Sequence, residues 1–267
     1  NYLFDTGVQV FEDLRKKSSD RYQYILPYYN FNKTLSNNFY GGTLDLSSNG
    51  NNDLNNTNEL KSKIINNIVY SSPDFISRSG LKNDFNINLK NLNSIGKNNN
   101  EYKSSPQIEL ISMINFNSTL PMIKKDNDYN NFLTPKLSLK INPHDMKNYS
   151  TSDRKISTEN IFNNNRLALE DTLETGKSLT VGIDFKREKI NEINKFFEMK
   201  LATVVRDKEE LFIPKNSTIN KKNSNLFGSI SNNFSEHLNI DYDFAIDNNF
   251  EVFEYNNFSA NIKFNNF

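Results

Sequence analysis

Residues 237–247 read HLNIDYDFAID, and the reading of this stretch decides the fold. Leu238, Ile240, Tyr242, Phe244 and Ile246 take every second position, while Asn239, Asp241, Asp243 and Asp247 fill most of the gaps. Successive side chains of a strand point to opposite faces, so the stretch has one oily face and one acidic, amide-rich face. Two settings suit such a strand. In a soluble sheet the oily face covers a core and the polar face meets bulk water. In a membrane barrel the oily face meets lipid and the polar face lines an enclosed lumen.

The pattern recurs. SLTVGIDFKRE (178–188) sets Leu179, Val181, Ile183 and Phe185 against Thr180, Asp184 and Lys186. FEMKLATVV (197–205) sets Phe197, Met199, Leu201 and Val205 against Glu198 and Lys200. FSANIKFNN (258–266) sets Phe258, Ala260, Ile262 and Phe264 against Ser259, Asn261, Lys263 and Asn265. QIELISMINF (107–116) carries Ile108, Leu110, Ile114 and Phe116 on one side, although Ile111 and Met113 blur the other. KLSLKIN (136–142) and DFNINLKN (84–91) alternate cleanly; RYQYILPYYNF (21–31) and FYGGTLDLSS (39–48) have less regular faces. Period 2 dominates, and no stretch holds a helical period. Roughly a dozen strands result, many of about 9–11 residues, the length a tilted strand needs to cross a bilayer. Strands of soluble proteins centre on about five or six. The expected fold is therefore all-β: an antiparallel transmembrane β-barrel, incomplete, with a dozen or so strands of a larger one.

Composition allows this. The 267 residues carry 32 Lys+Arg and 32 Asp+Glu, a zero net charge that argues against a nucleic-acid footprint. Hydrophobic content is 36% and mean hydropathy −0.71, low for a conventional core. The 21 Phe and 12 Tyr still argue against disorder and suit strands with one apolar face. No window approaches 18 apolar residues, so no transmembrane helix is expected. The absence of cysteine removes disulfides and thiolate metal sites. The start, NYLFDTGVQVF, lacks Met or a signal peptide and reads as an excised or mature segment. The asparagine tracts NGNNDLNNTNE (49–59) and GKNNNE (96–101) read as solvated loops from an AT-rich coding sequence.

One domain is expected over 1–267, truncated at both ends, with long polar loops near 49–58, 143–177 and 206–223. Residues 189–194 and 233–237 make short turns, and 248–251 a tight hairpin on the long-loop side. Outer-membrane barrels show this asymmetry of short periplasmic turns and long extracellular loops. Residues 119–133 are too long for such a turn. Pro121, Pro135, Pro143 and Pro214 are expected at or beside loop ends, and Pro27 at a bulge or break.

Chemistry leaves few traces. His144 and His237 are the only histidines, and neither sits in a metal-ligand pattern. No Gly-x-Ser-x-Gly elbow appears, and YGG (40–42) lacks the lysine and helix of a phosphate loop. Asp241 and Asp243 share a strand face and read as a hydrated wall rather than a catalytic pair. No cofactor, metal or enzymatic activity is expected. The segment with unusual texture is ENIFNNNRLALEDTLETGKSLTVGIDF (159–185), where Asn160, Arg166, Glu170, Asp171 and Glu174 lead through Gly176 into a clean strand. Pairing of Arg166 with Asp171 would fold this loop back on itself. Loops this long are usually functional or disordered.

This segment resembles the C-terminal barrel of the lipopolysaccharide-assembly outer-membrane family, LptD. The likeness rests on Asn165–Arg166, Asp171, Glu174, Gly176 and the strand Leu179–Phe185. RYQYILPYYNFNK (21–33) and IPKNSTINKKNSNLFGSISNNFSEHLNIDYDF (213–244) support it in order along the chain. The Asn/Lys bias resembles the family's members in AT-rich marine alphaproteobacteria. The resemblance implies a barrel that delivers lipopolysaccharide to the outer leaflet of the outer membrane. It implies as partners lipopolysaccharide, an LptE-like plug lipoprotein, outer-membrane lipid and periplasmic bridge proteins that reach a missing N-terminal domain. That domain, the family's cysteines and a recognisable closing strand are all departures from the pattern. Lumen-facing residues are expected at Asp184, Lys186, Lys200, Asn239, Asp241, Asp243 and Lys263, with Lys186, Lys200 and Lys263 as candidate phosphate contacts. Another barrel (a porin or a plugged nutrient receptor) and a soluble β-sandwich or adhesin module remain the alternatives.

Overall fold

The computed structural model describes residues 2–18, 21–56, 58–235 and 237–264. The chain is all-β. Its strands join one antiparallel sheet whose ladder runs β1 (Tyr2–Glu12), β2 (Tyr22–Phe39), β3 (Gly42–Asn55), β4 (Glu59–Ser71), β6 (Lys82–Lys97), β7 (Gln107–Thr119), β9 (Tyr129–Asn142), β10 (Gly176–Lys189), β11 (Glu192–Arg206), β12 (Leu226–Ser235), β13 (Leu238–Ile246) and β14 (Phe253–Ile262). Two short strands lie off this path: β5 (Phe75–Ile76) pairs with β6, and β8 (Met122–Lys125) with β9. The path begins at β1 and ends at β14, and no ladder closes it among the described residues. The dozen expected strands are the twelve of this path. Among the described residues no helix is long and apolar enough to cross a membrane.

Two expectations about loops are corrected. The asparagine tract at 49–58 is not a loop, because residues up to Asn55 belong to β3 and pair with β4 from Glu59 onward. Its amides alternate between the two faces of a strand. Residues 119–133 are not a loop either. After Thr119 the chain breaks at Pro121, resumes as β8 and pairs with Asn130–Leu133 of β9. The remaining turn is closed by the Asp126 N–H donating to the Tyr129 carbonyl at 2.8 Å. Pro135 sits inside β9, opposite Ile183, and not at a loop end. Its carbonyl accepts the Leu120 N–H at 3.0 Å, so its missing donor points to that side and spares the β10 ladder. Pro27 does mark a bulge: Ile25 pairs with Asp53 and Tyr28 with Asn51, leaving two residues opposite one. YGG supplies a two-residue hairpin, with Tyr40 and Gly41 both at positive φ (48° and 79°), as the tightest turns require.

The long connections 143–175 and 207–225 fall where expected. Asn265 and Asn266, at the end of the expected last strand, lie outside the described residues.

The contacts divide the chain into two compact units. Unit 1 comprises 1–73, 86–114 and 170–173; unit 2 comprises 74–85, 115–169 and 174–267. Directly paired residues share a face, so the registers assign faces across each unit. In unit 2 the row Leu133–Phe185–Met199–Ile230–Tyr242–Phe258 lies on one side. The row Thr134–Asp184–Lys200–Ser229–Asp243–Asn257 lies on the other. The apolar side is bare. The polar side is covered at one end by the unit's own loops, which bring Ile156, Ile161, Leu167, Leu169, Ile213 and Ile219 onto Ala202, Val204 and Phe227.

In unit 1 the bare face carries Ile64, Ile68, Leu89, Ile108 and Leu110, the last two 78% and 65% exposed. Ile111 and Met113, which blur the alternation of β7, are buried on the opposite face against Leu173. Ile65 and Leu92 on that covered face pack with Tyr102. The clean division of oily and polar faces fails at one level of unit 1. There the bare face holds a chain of amides: Ser48 Oγ donates to Asn66 at 2.6 Å, Asn66 to Asn91 at 3.2 Å, and Asn93 to Asn91 at 2.7 Å. Asn66 and Asn91 find partners on the next strand and Asn93 on its own, which offsets much of the cost of an apolar setting.

Candidate functional site

The polar face of unit 2 begins at the long-loop end with a buried ion cluster. Arg166 is 3% exposed, Arg206 5% and Glu174 7%. Arg166 Nε donates to Glu174 Oε2 at 2.8 Å and Nη2 to Oε1 at 2.5 Å, a bidentate pair. Its other donors reach Thr180 Oγ1 at 2.8 Å and Ser178 Oγ at 2.9 Å, both on the covered face of β10. Arg206, last residue of β11, also donates to Glu174, to the Ile219 carbonyl and to the Thr175 carbonyl at 3.0 Å. One carboxylate thus ties together β10, β11 and both long loops. Burial pushes the Glu174 carboxyl up, but the Arg166 and Arg206 guanidiniums outweigh it and hold the group well below the usual carboxylate range. Lys140 of β9 caps the carbonyls of Asn163 and Asn164.

The expected Arg166–Asp171 pair does not form. Arg166 turns to Glu174, while Asp171 accepts the buried Tyr102 hydroxyl at 2.7 Å in unit 1. The reason is reach: Arg166 lies flat on β10, and Glu174 stands just before that strand begins. Glu170 of the same segment pairs with Lys63 at 3.0 Å, and its carbonyl accepts from Lys90. Asn160 folds its own turn, accepting from the Ser157 N–H at 3.0 Å and donating to the Lys155 carbonyl at 3.0 Å. Gly176 opens β10 at φ 81°, and a Cβ there would crowd the Glu210 carboxylate. The five residues of the sequence motif therefore act as anchors of a folded-in loop and do not meet at one chemical centre.

Toward the short-turn end the polar face is hydrated and ion-paired. Asp184 meets Lys136; Lys186 meets Glu188 at 2.9 Å; Lys200 lies 3.3 Å from both Glu159 and Glu198. Asp241 accepts from Ser231 and Asn239, each at 2.6 Å. The registers put Asp184, Lys200 and Asp243 in one row, and Lys186 and Asp241 in the next. Asn239 opposes Asn261, on the face that Lys263 continues beyond the strand end. All seven residues named as lumen-facing thus share the polar face. As phosphate contacts, however, Lys186 and Lys200 are already engaged by carboxylates. His144 and His237 take part through their backbones, and no group of three or more His, Cys, Asp or Glu able to hold a metal occurs among the described residues.

Sequence reasoning missed Arg206, Lys140, Ser178 and Thr180. For Lys140, Ser178 and Thr180 the signal was parity, since each stands on the polar side of a strand whose alternation was read; Arg206 fell in the expected loop 206–223, whereas β11 runs one residue past the stretch read as a strand. No family model matches this chain, and no curated protein matches it either.

Proposed function

We propose that this chain forms part of the wall of an outer-membrane β-barrel that carries lipopolysaccharide to the outer leaflet. One observation carries the membrane half of the reading: strands such as the 14-residue β10 present a bare apolar face, while the long-loop end of their polar face is covered by the protein's own loops. A soluble sheet would do the reverse, because exposing large apolar rows to water costs about 25 cal/mol per Å². Aromatic pairs mark both ends of the bare face in unit 1: Tyr22 with Tyr24 at one, and Phe39 with Tyr40 and Tyr70 at the other. Such residues anchor a barrel at the two membrane–water boundaries. In unit 2, Arg187 on the bare face lies 4.0 Å over the Tyr129 ring near the short turns, where a charge reaches headgroups.

The cargo half rests on the order of motifs along 159–185 and 213–244. A boiled and an unboiled sample of the chain refolded in detergent micelles should migrate differently on a gel. Identical migration would end the membrane reading. Depleting the protein in its host should then lower surface lipopolysaccharide. Unchanged lipopolysaccharide with lost uptake of a nutrient would turn the assignment to a plugged nutrient receptor.

A further inference from the structure

We propose that the face of unit 1 opposite its bare apolar face holds, over β1–β3, a binding site for neutral sugars. The registers of β1, β2 and β3 place Asp5, Asn30 and Asn49 in one row, and Tyr28 and Asn51 in the next; Gln9 lies beside them on the same face. Together these six line a hollow of about 470 Å³, walled on one side by Lys63 and Glu170. That volume is within the roughly 300–1,000 Å³ of small-molecule sites.

Three features give the hollow its chemistry. The side chains of Asp5, Gln9, Asn30, Asn49 and Asn51 have no hydrogen-bond partner among the described residues, unlike the amides on the opposite face of the same strands. An amide offers one acceptor oxygen and two donor hydrogens, which matches a hydroxyl that both gives and accepts. Neighbouring strands lie about 4.8 Å apart, so these amides repeat at a spacing close to one pyranose ring. Tyr28 adds an aromatic surface for the apolar face of a sugar.

Charge sets the class of sugar. Lys63, the one cation lining the hollow, is held by Glu170 at 3.0 Å, while Asp5 carries no counter-ion among the described residues. A phosphorylated sugar would meet a carboxylate and find no unengaged cation. The site therefore takes uncharged hexose units. It stands on unit 1 alone and does not depend on which cargo the protein moves.

Titration calorimetry on the full chain in detergent micelles tests this, with maltohexaose as the neutral probe and glucose against glucose 6-phosphate for charge. Maltohexaose should bind, and Asn49→Leu combined with Asn51→Leu should weaken it about tenfold, the loss of one or two net hydrogen bonds. Tyr28→Ala, a surface change that spares the strand amides, should weaken it as well. Asp243→Asn in unit 2 should leave it unchanged, and glucose should bind better than glucose 6-phosphate. Absence of heat with maltohexaose, equal binding by the asparagine and tyrosine variants, or preference for the phosphate would overturn the site. A negative titration leaves the membrane reading intact, since that rests on gel migration.

Discussion

At the scale of single residues, Glu174 holds the most. It is a lone buried carboxylate against two buried guanidiniums, so Glu174→Gln leaves charge without a counter-ion. The expected loss is about 3–5 kcal/mol of stability, measured by urea unfolding in micelles. Because its pKa is lowered in the folded chain from the ordinary 4.5, the stabilisation is complete above about pH 5 and is lost only as pH falls through the folded value. Unfolding of the parent chain should therefore be flat in pH from about 5 to 8 for this group, and Glu174→Gln should remove an acid-side decline. Gly176 gives a second test. Its φ of 81° makes Gly176→Ala destabilising by about 1–3 kcal/mol in the same assay. Sequence alone placed both residues at the mouth of a strand; the partner of each was out of reach.

At the scale of the element, each strand has one face that tolerates charge and one that does not. Ile183 lies mid-strand on the bare face of β10, so on the membrane reading proposed above Ile183→Arg should cost about 2–4 kcal/mol, the penalty of a cation near a bilayer midplane. Asn257→Arg, on the polar face of β14, should stay within about 0.5 kcal/mol. Equal costs at the two positions would contradict the assignment of faces. The alternation in SLTVGIDFKRE and HLNIDYDFAID was legible because a period of two is a local property of an extended chain. The asparagines of β3 were not, since the same residues suit a solvated loop and the two faces of a paired strand. Only neighbours distant in sequence decide between those outcomes. Ile111 and Met113 teach the same point: they break the alternation because Leu173, sixty residues on in the chain, covers them.

At the scale of the molecule, the loops do more than connect. Residues 145–168 lay Ile156, Ile161 and Leu167 over the polar face of unit 2, so replacing them with a short Gly-Ser linker uncovers that face. The expected outcome is faster thiol labelling of an Ala202→Cys variant, specific because the chain has no other cysteine; unchanged labelling would mean that the loop covers nothing. By itself the sequence determined that the chain is extended, antiparallel and two-faced, and roughly where each strand turns, because side-chain direction, proline geometry and turn residues act over a few residues. Tertiary structure alone decided which carboxylate answers Arg166, that 119–133 is a kinked continuation of a strand, and which polar groups are left without a side-chain partner. Those outcomes depend on register and burial, which bring together groups from strands far apart in sequence, and no local pattern of residues encodes the choice.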